Sequence, residues 1–130
     1  MTESVVQPGL YQLIVESAPD GVIWADREGV IRVWNAGAER YLGYTSSEAV
    51  GQTLSLVIPA VCRDRHWAAF HRWMASGENR ISEPFGVIPL VHRDGHTVEM
   101  ESTFVRVKDA AGQTVGAGAI VRPAGLSASH

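Results

Sequence analysis

The last third of the chain has little freedom in how it folds. Three long runs rich in β-forming residues, Ser82–His92, Thr97–Lys108 and Thr114–Val121, are separated by two short turns, Arg93-Asp94-Gly95-His96 and Asp109-Ala110-Ala111-Gly112. Runs of this kind joined by Asp- and Gly-bearing turns fold back on one another as antiparallel neighbours. Upstream, Val22–Ala25 and Val30–Trp34 read as two shorter strands linked by the turn Asp26-Arg27-Glu28-Gly29.

Between these two β sets the signals are helical. Asn35 is a good N-cap for a segment that Gly43 stops. Thr45-Ser46-Ser47-Glu48 has the spacing of a capping box, and Gly51 closes that segment. A short apolar linker, Leu54 to Ile58, leads to the longest predicted helix, Ala60 to Ser76, which ends at Gly77. Ahead of everything, Leu10, Leu13 and Ile14 fall at helical spacing within Gly9–Ser17, and Pro19-Asp20-Gly21 breaks that helix. The order predicts an α+β architecture: a five-stranded antiparallel sheet with short helices and one long helix packed on one face. The expected domain runs over residues 9–122, with a flexible leader at 1–8 and a flexible tail at 123–130.

Composition narrows the functional classes. Apolar residues make up 45% and charged residues 19%, enough to fill a core. The net charge is -3, and the arginines between Arg63 and Arg80 interleave with Asp64, Glu78 and aromatic residues. That is a solvated helix face, and no basic stripe is present to neutralise nucleic-acid phosphates. The single cysteine, Cys62, excludes an internal disulfide and suits a reducing compartment. No stretch approaches the roughly 20 apolar residues of a membrane helix, and the polar start has no signal-peptide pattern. The expectation is a cytoplasmic protein that does not engage membranes.

The ordered motifs resemble the PAS family over about positions 9 to 122. The opening half carries Ala18-Pro19-Asp20-Gly21-Val22, Asp26-x-x-Gly29-x-Ile31, Trp34-Asn35-x-x-Ala38-Glu39 and Gly43-Tyr44-x-x-x-Glu48-Ala49-x-Gly51. The closing half carries Arg93-Asp94-Gly95 and Asp109-x-x-Gly112. The resemblance implies a sensory module whose helices and inner sheet face enclose a pocket for haem, flavin, a lipid or another small molecule, or for nothing. It also implies homodimers through the outer sheet face and the N-terminal helix. Where many relatives continue into a signalling helix, Pro123 and Gly125 disfavour helix.

The pocket's occupant is argued from the residues. Light-sensing relatives place an adduct-forming cysteine where this chain has Leu54, so no flavin photoadduct is expected. Helical phase puts Cys62, His66, Trp67, Phe70, Trp73 and Met74 on one face of the long helix, with Arg65, Ala68 and Arg72 opposite. The stretch from His66 to Glu78 is similar to the haem-bearing helix of FixL-type oxygen sensors, in which the matching histidine is the proximal iron ligand. That similarity implies haem held by His66, within a lining that adds Trp67, Phe70, Trp73, Met74 and, from the sheet, Met100. The gas-polarising arginine of those sensors is matched here by Gly86. A second reading stays open: His66 as a core histidine satisfied by a hydrogen bond.

Other constellations read more simply. Cys62 and His66, one turn apart, lack a third ligand and read as packing residues. His92 and His96 flank the Arg93-Asp94-Gly95 turn as surface residues without a metal role. Gly116-Ala117-Gly118-Ala119 lies inside a strand and reads as a flat surface permitting close approach. Glu99 and Glu101 alternate with Met100 as a solvated stripe. No acid, base and nucleophile converge, so an enzyme is not expected. Two functions remain: a ligand-sensing regulatory domain, or a ligand-free module that dimerises or docks another protein.

Overall fold

The computed structural model describes residues 9–75 and 82–125. The leader at 1–8, the helix stop at Ser76–Gly77 and the tail from 126 lie outside the described residues. In chain order the elements are α1 (Leu10–Ser17), β1 (Gly21–Asp26), β2 (Ile31–Trp34), α2 (Ala36–Leu42), α3 (Ser46–Ala49), α4 (Arg63–Ala75), β3 (Ser82–Val91), β4 (Thr97–Lys108) and β5 (Thr114–Pro123). Single 3-10 turns at Leu54–Leu56 and Ala60–Cys62 lead into α4.

The five strands form one antiparallel sheet in the order β2-β1-β5-β4-β3. The last strand therefore inserts at the centre, beside the first. Pro123, expected to begin the tail, is instead the last residue of β5 and pairs with Met100.

One side chain ties the N-terminal elements together. Asn35 is 2% exposed. Its Oδ1 accepts from the Ala38 amide (3.0 Å), capping α2, and from the Val22 amide (2.7 Å) on β1. Its Nδ2 donates to the carbonyls of Val15 (2.7 Å) on α1 and Asp20 (3.0 Å). Thr45 and Glu48 close the capping box of α3 in both directions.

On the inner face Ile23, Ala25, Ile31, Trp34, Leu42, Val57, Phe70, Met74, Met100 and Val121 form a buried core. Each large apolar side chain fully buried in this way contributes about 1.5–3 kcal/mol. At Gly118 the backbones of β1 and β5 come so close that a Cβ would sit 1.9 Å from the Ile23 carbonyl oxygen. That is the close approach expected of the Gly116–Ala119 stretch, and it keeps the centre of the sheet thin.

Asn35→Ala is expected to cost about 2–4 kcal/mol, because it removes a helix cap and strands three further partners. Gly95 sits at φ 100° with open space around a would-be Cβ. Gly95→Val should therefore cost only the conformational penalty, about 1 kcal/mol. Urea denaturation of both variants checks the ranking; an Asn35→Ala loss smaller than that of Gly95→Val would refute the tethering role.

Candidate functional site

Between α4 and the inner face of the sheet lies a cavity of about 520 Å³. From α4, His66, Ala69, Phe70 and Trp73 line it at the i, i+3, i+4, i+7 spacing of one helical stripe. Ile23, Ile88, Leu90 and Phe104 face them from the sheet, and Leu54, Val57 and Ile58 close one side. Space remains because the central strand offers only Ala117, Gly118 and Ala119 at this level.

Of the residues expected in the pocket, His66, Phe70 and Trp73 meet there. Trp67, Met74, Met100 and Cys62 do not line it, and Arg72, expected on the opposite face, does. For Cys62 the reason lies in how α4 begins. Cys62 belongs to a 3-10 turn, whose three residues per turn break the helical phase carried forward from Ala60. Within α4, Trp67 and Met74 share a neighbouring stripe that packs beside the cavity. The Trp67 ring covers Gly29, and its Nε1 donates to Ser55 Oγ at 2.9 Å. Met74 and Met100 are buried in the core.

Trp73 is held by an interaction that periodicity did not single out. Arg106, 1% exposed, lies with its guanidinium 5.2 Å from the Trp73 ring centre, and its Nη1 donates to the Trp73 carbonyl at 3.2 Å. A buried arginine stacked on an aromatic face and capping the last turn of a helix fixes that wall of the cavity. Its signal in the sequence was weak, an arginine at an inward-facing position of β4 (Met100, Ser102 and Arg106 are all buried).

His66 is half-buried, with its ring 4.9 Å from that of Trp67 and 6.2 Å from that of Phe70. Its Nδ1 is buried and has no hydrogen-bond partner. Burial, and secondarily the charge of His71, pushes its pKa below the ordinary 6.5, so the imidazole is neutral near pH 7. The hydrogen-bonded core histidine allowed by the sequence is therefore not what the structure contains at Nδ1. A neutral imidazole with an unsatisfied nitrogen, on the wall of an apolar cavity, can accept a hydrogen bond or ligate a metal centre. Leu54, at the position of the light sensors' cysteine, is buried and lines the same cavity.

The PAS-fold family model matches residues 9–124. The chain belongs to the PAS family. PAS domains are sensory modules of signal-transduction proteins, and two sequence relatives fit that setting. The sensor protein FixL of Bradyrhizobium diazoefficiens is 30% identical over 87 residues, 67% of this chain. The signal transduction histidine-protein kinase AtoS of Escherichia coli is 31% identical over 108 residues, 83% of this chain. In each case the matched PAS segment is 17% of the relative's length. Among solved structures, the PAS domain of a protein from Colwellia psychrerythraea superposes with a TM-score of 0.74 at 26% identity, covering 87% of this chain and 92% of that one. No helix among the described residues is long and apolar enough to cross a membrane.

The desolvated imidazole sets a pH dependence with a definite sign. Below pH 6.5 the unfolded chain protonates His66 while the folded chain resists, so its contribution is intact above 6.5 and is lost as pH falls toward the lower folded value. His66→Leu should flatten the fall in urea midpoint between about pH 7 and pH 5. Parallel profiles for variant and parent would show that the ring is not desolvated.

Proposed function

We propose that this PAS domain senses a small, largely apolar ligand or cofactor held between α4 and the inner sheet face, and that haem is the cofactor its residues fit. The observation that carries this reading is the neutral His66 ring on the wall of the cavity, with no hydrogen-bond partner at its buried Nδ1. The volume falls within the range of ligand pockets, about 300–1,000 Å³. His66 would hold the iron, and bound haem would supply a centre that responds to redox state or to small gases. Phe70, Trp73 and Phe104 offer flat apolar faces, while Arg72 offers a cation to any carboxylate at the edge. Trp67, Met74 and Met100 brace this lining from behind, and Arg106 keeps Trp73 in place.

Signal output through a homodimer is the second part of the proposal. Tyr11, Leu13 and Ile14 on α1 are 70%, 59% and 55% exposed. Beside α1, the outer sheet face opens a groove lined by Val22, Trp24, Val105, Val107 and Ile120. Trp24 Nε1 is buried there without a hydrogen-bond partner. An apolar helix face and groove of this kind suit a second copy of the domain. They equally serve the rival function, a ligand-free interaction module.

Two measurements separate these functions. Hemin titrated into the purified protein should give a Soret band saturating at one per chain, lost in His66→Ala while far-UV circular dichroism is unchanged. No saturable band, or uptake indifferent to His66→Ala, would remove haem. Sedimentation equilibrium should give a dimer mass that Leu13→Glu with Ile14→Glu converts to monomer. A monomer at all concentrations would refute the dimer, and a dimer that takes up no hemin and copurifies with no small molecule would favour the rival.

A further inference from the structure

The turn between β3 and β4 gathers a second group of ligating side chains, outside the cavity's lining. The backbone closes the turn with the His92 amide donating to the His96 carbonyl at 2.8 Å and the Gly95 amide to the His92 carbonyl at 2.9 Å. His92 and His96 therefore face each other, and their rings stack with centres 4.6 Å apart. Asp94, at the tip, turns its carboxylate back over them. Its Oδ1 accepts from the His96 amide at 3.0 Å, lies 3.3 Å from His92 Nδ1, and contacts His96 Nδ1. One ligand atom from each residue, two imidazole nitrogens and a carboxylate oxygen, falls within 4.8 Å of the others.

The donors are held in place by their surroundings. The His92 ring lies over Gly43, where a Cβ would meet its Cε1 and Nε2 at 2.6 and 2.7 Å. The Arg93 amide donates to the Leu42 carbonyl at 2.9 Å, and the Arg93 guanidinium pairs with Glu48 at 2.9 Å. The turn is thus fastened to the ends of α2 and α3, so the three side chains keep their positions without a ligand.

We propose that this turn is a binding site for a divalent late first-row transition metal, Zn²⁺, Ni²⁺ or Cu²⁺, with His92, Asp94 and His96 as its protein ligands. Two imidazoles and one carboxylate suit these ions; Ca²⁺ and Mg²⁺ prefer sets of oxygen donors. Three ligands leave a tetrahedral position open for water. A cation taking the His92 Nδ1 lone pair replaces the hydrogen bond from the Asp94 amide, 3.1 Å long. Ile88 and Leu90, on the strand entering the turn, line the cavity, so an ion here braces one cavity wall from outside.

Calorimetric titration of the full chain with Zn²⁺ near neutral pH tests the site. One ion should bind per chain, and the affinity should fall at least tenfold, roughly, in His96→Ala, the more exposed of the two histidines and the less costly of them to fold. Asp94→Asn should weaken binding in the same direction, whereas Cys62→Ser and His66→Ala should leave it unchanged. His92 and His96 ring resonances should shift on Zn²⁺ addition, and hemin uptake should be indifferent to His96→Ala. No saturable Zn²⁺ binding, binding that survives His96→Ala, or binding removed by Cys62→Ser would each overturn the assignment.

Discussion

The four hydrogen bonds of Asn35 are the constraint on which the rest of the structure depends. An amide side chain has one acceptor oxygen with two lone pairs and two donor hydrogens. Here all four are used, on the Val22 and Ala38 amides and the Val15 and Asp20 carbonyls. These partners belong to α1, the loop after it, β1 and α2. Neither Asp, without donors, nor Ser, with one hydroxyl, could reproduce the set. Because β1 is fixed at its entry, β5 can slot in beside it over six residue pairs, and the sheet acquires its centre.

That centre is also where packing gives way to function. Interiors normally pack to crystal-like density. Here the middle strand presents Ala117, Gly118 and Ala119 beneath a helix carrying His66, Ala69, Phe70 and Trp73, and a cavity of about 520 Å³ remains. Side chains around it forgo dispersion contacts on one side. The wall does not collapse because Trp73 is pinned by Arg106 and Trp67 by Ser55. Any ligand that binds the folded chain alone adds stability by mass action, so the same feature that weakens the core makes the domain responsive to occupancy.

Much of this was legible in the residues. The strand and helix order, the Asn35 cap, the Thr45-Glu48 capping box and the Asp-Gly turns follow from local chemistry that acts within a few residues. So does the place of His66 on the helix. What was hidden depends on more than one element. Whether Trp67 or Arg72 meets the cavity turns on how the sheet and the loops before α4 seat that helix, which a helical wheel does not contain. Phe104, Ile88 and Leu90 were unmarked because alternation tells which face they occupy but not that the face is hollow. The pairing of His92 with His96 needed the turn geometry, and sequence spacing alone left them as two separate surface residues.

The thinness of the sheet joins its two faces. Ile23, Gly118 and Ala119 border both the inner cavity and the outer groove. At Gly118 no side chain lies between them, and β1 and β5 approach closely enough to forbid a Cβ. Along β1 the neighbours of Ile23 are Val22 and Trp24, whose side chains point to the opposite face, in the groove. On the proposed reading, a ligand filling the cavity would bear on backbone shared with the apolar groove, with no layer of side chains between. In a close-packed sheet such displacements are transmitted, because no slack exists to absorb them. Ala117 and Ala119, paired with Ala25 and Ile23 of β1, lie on the cavity side, and enlarging either would fill the cavity, whereas a Cβ at Gly118 would strike the β1 backbone instead and force the two central strands apart.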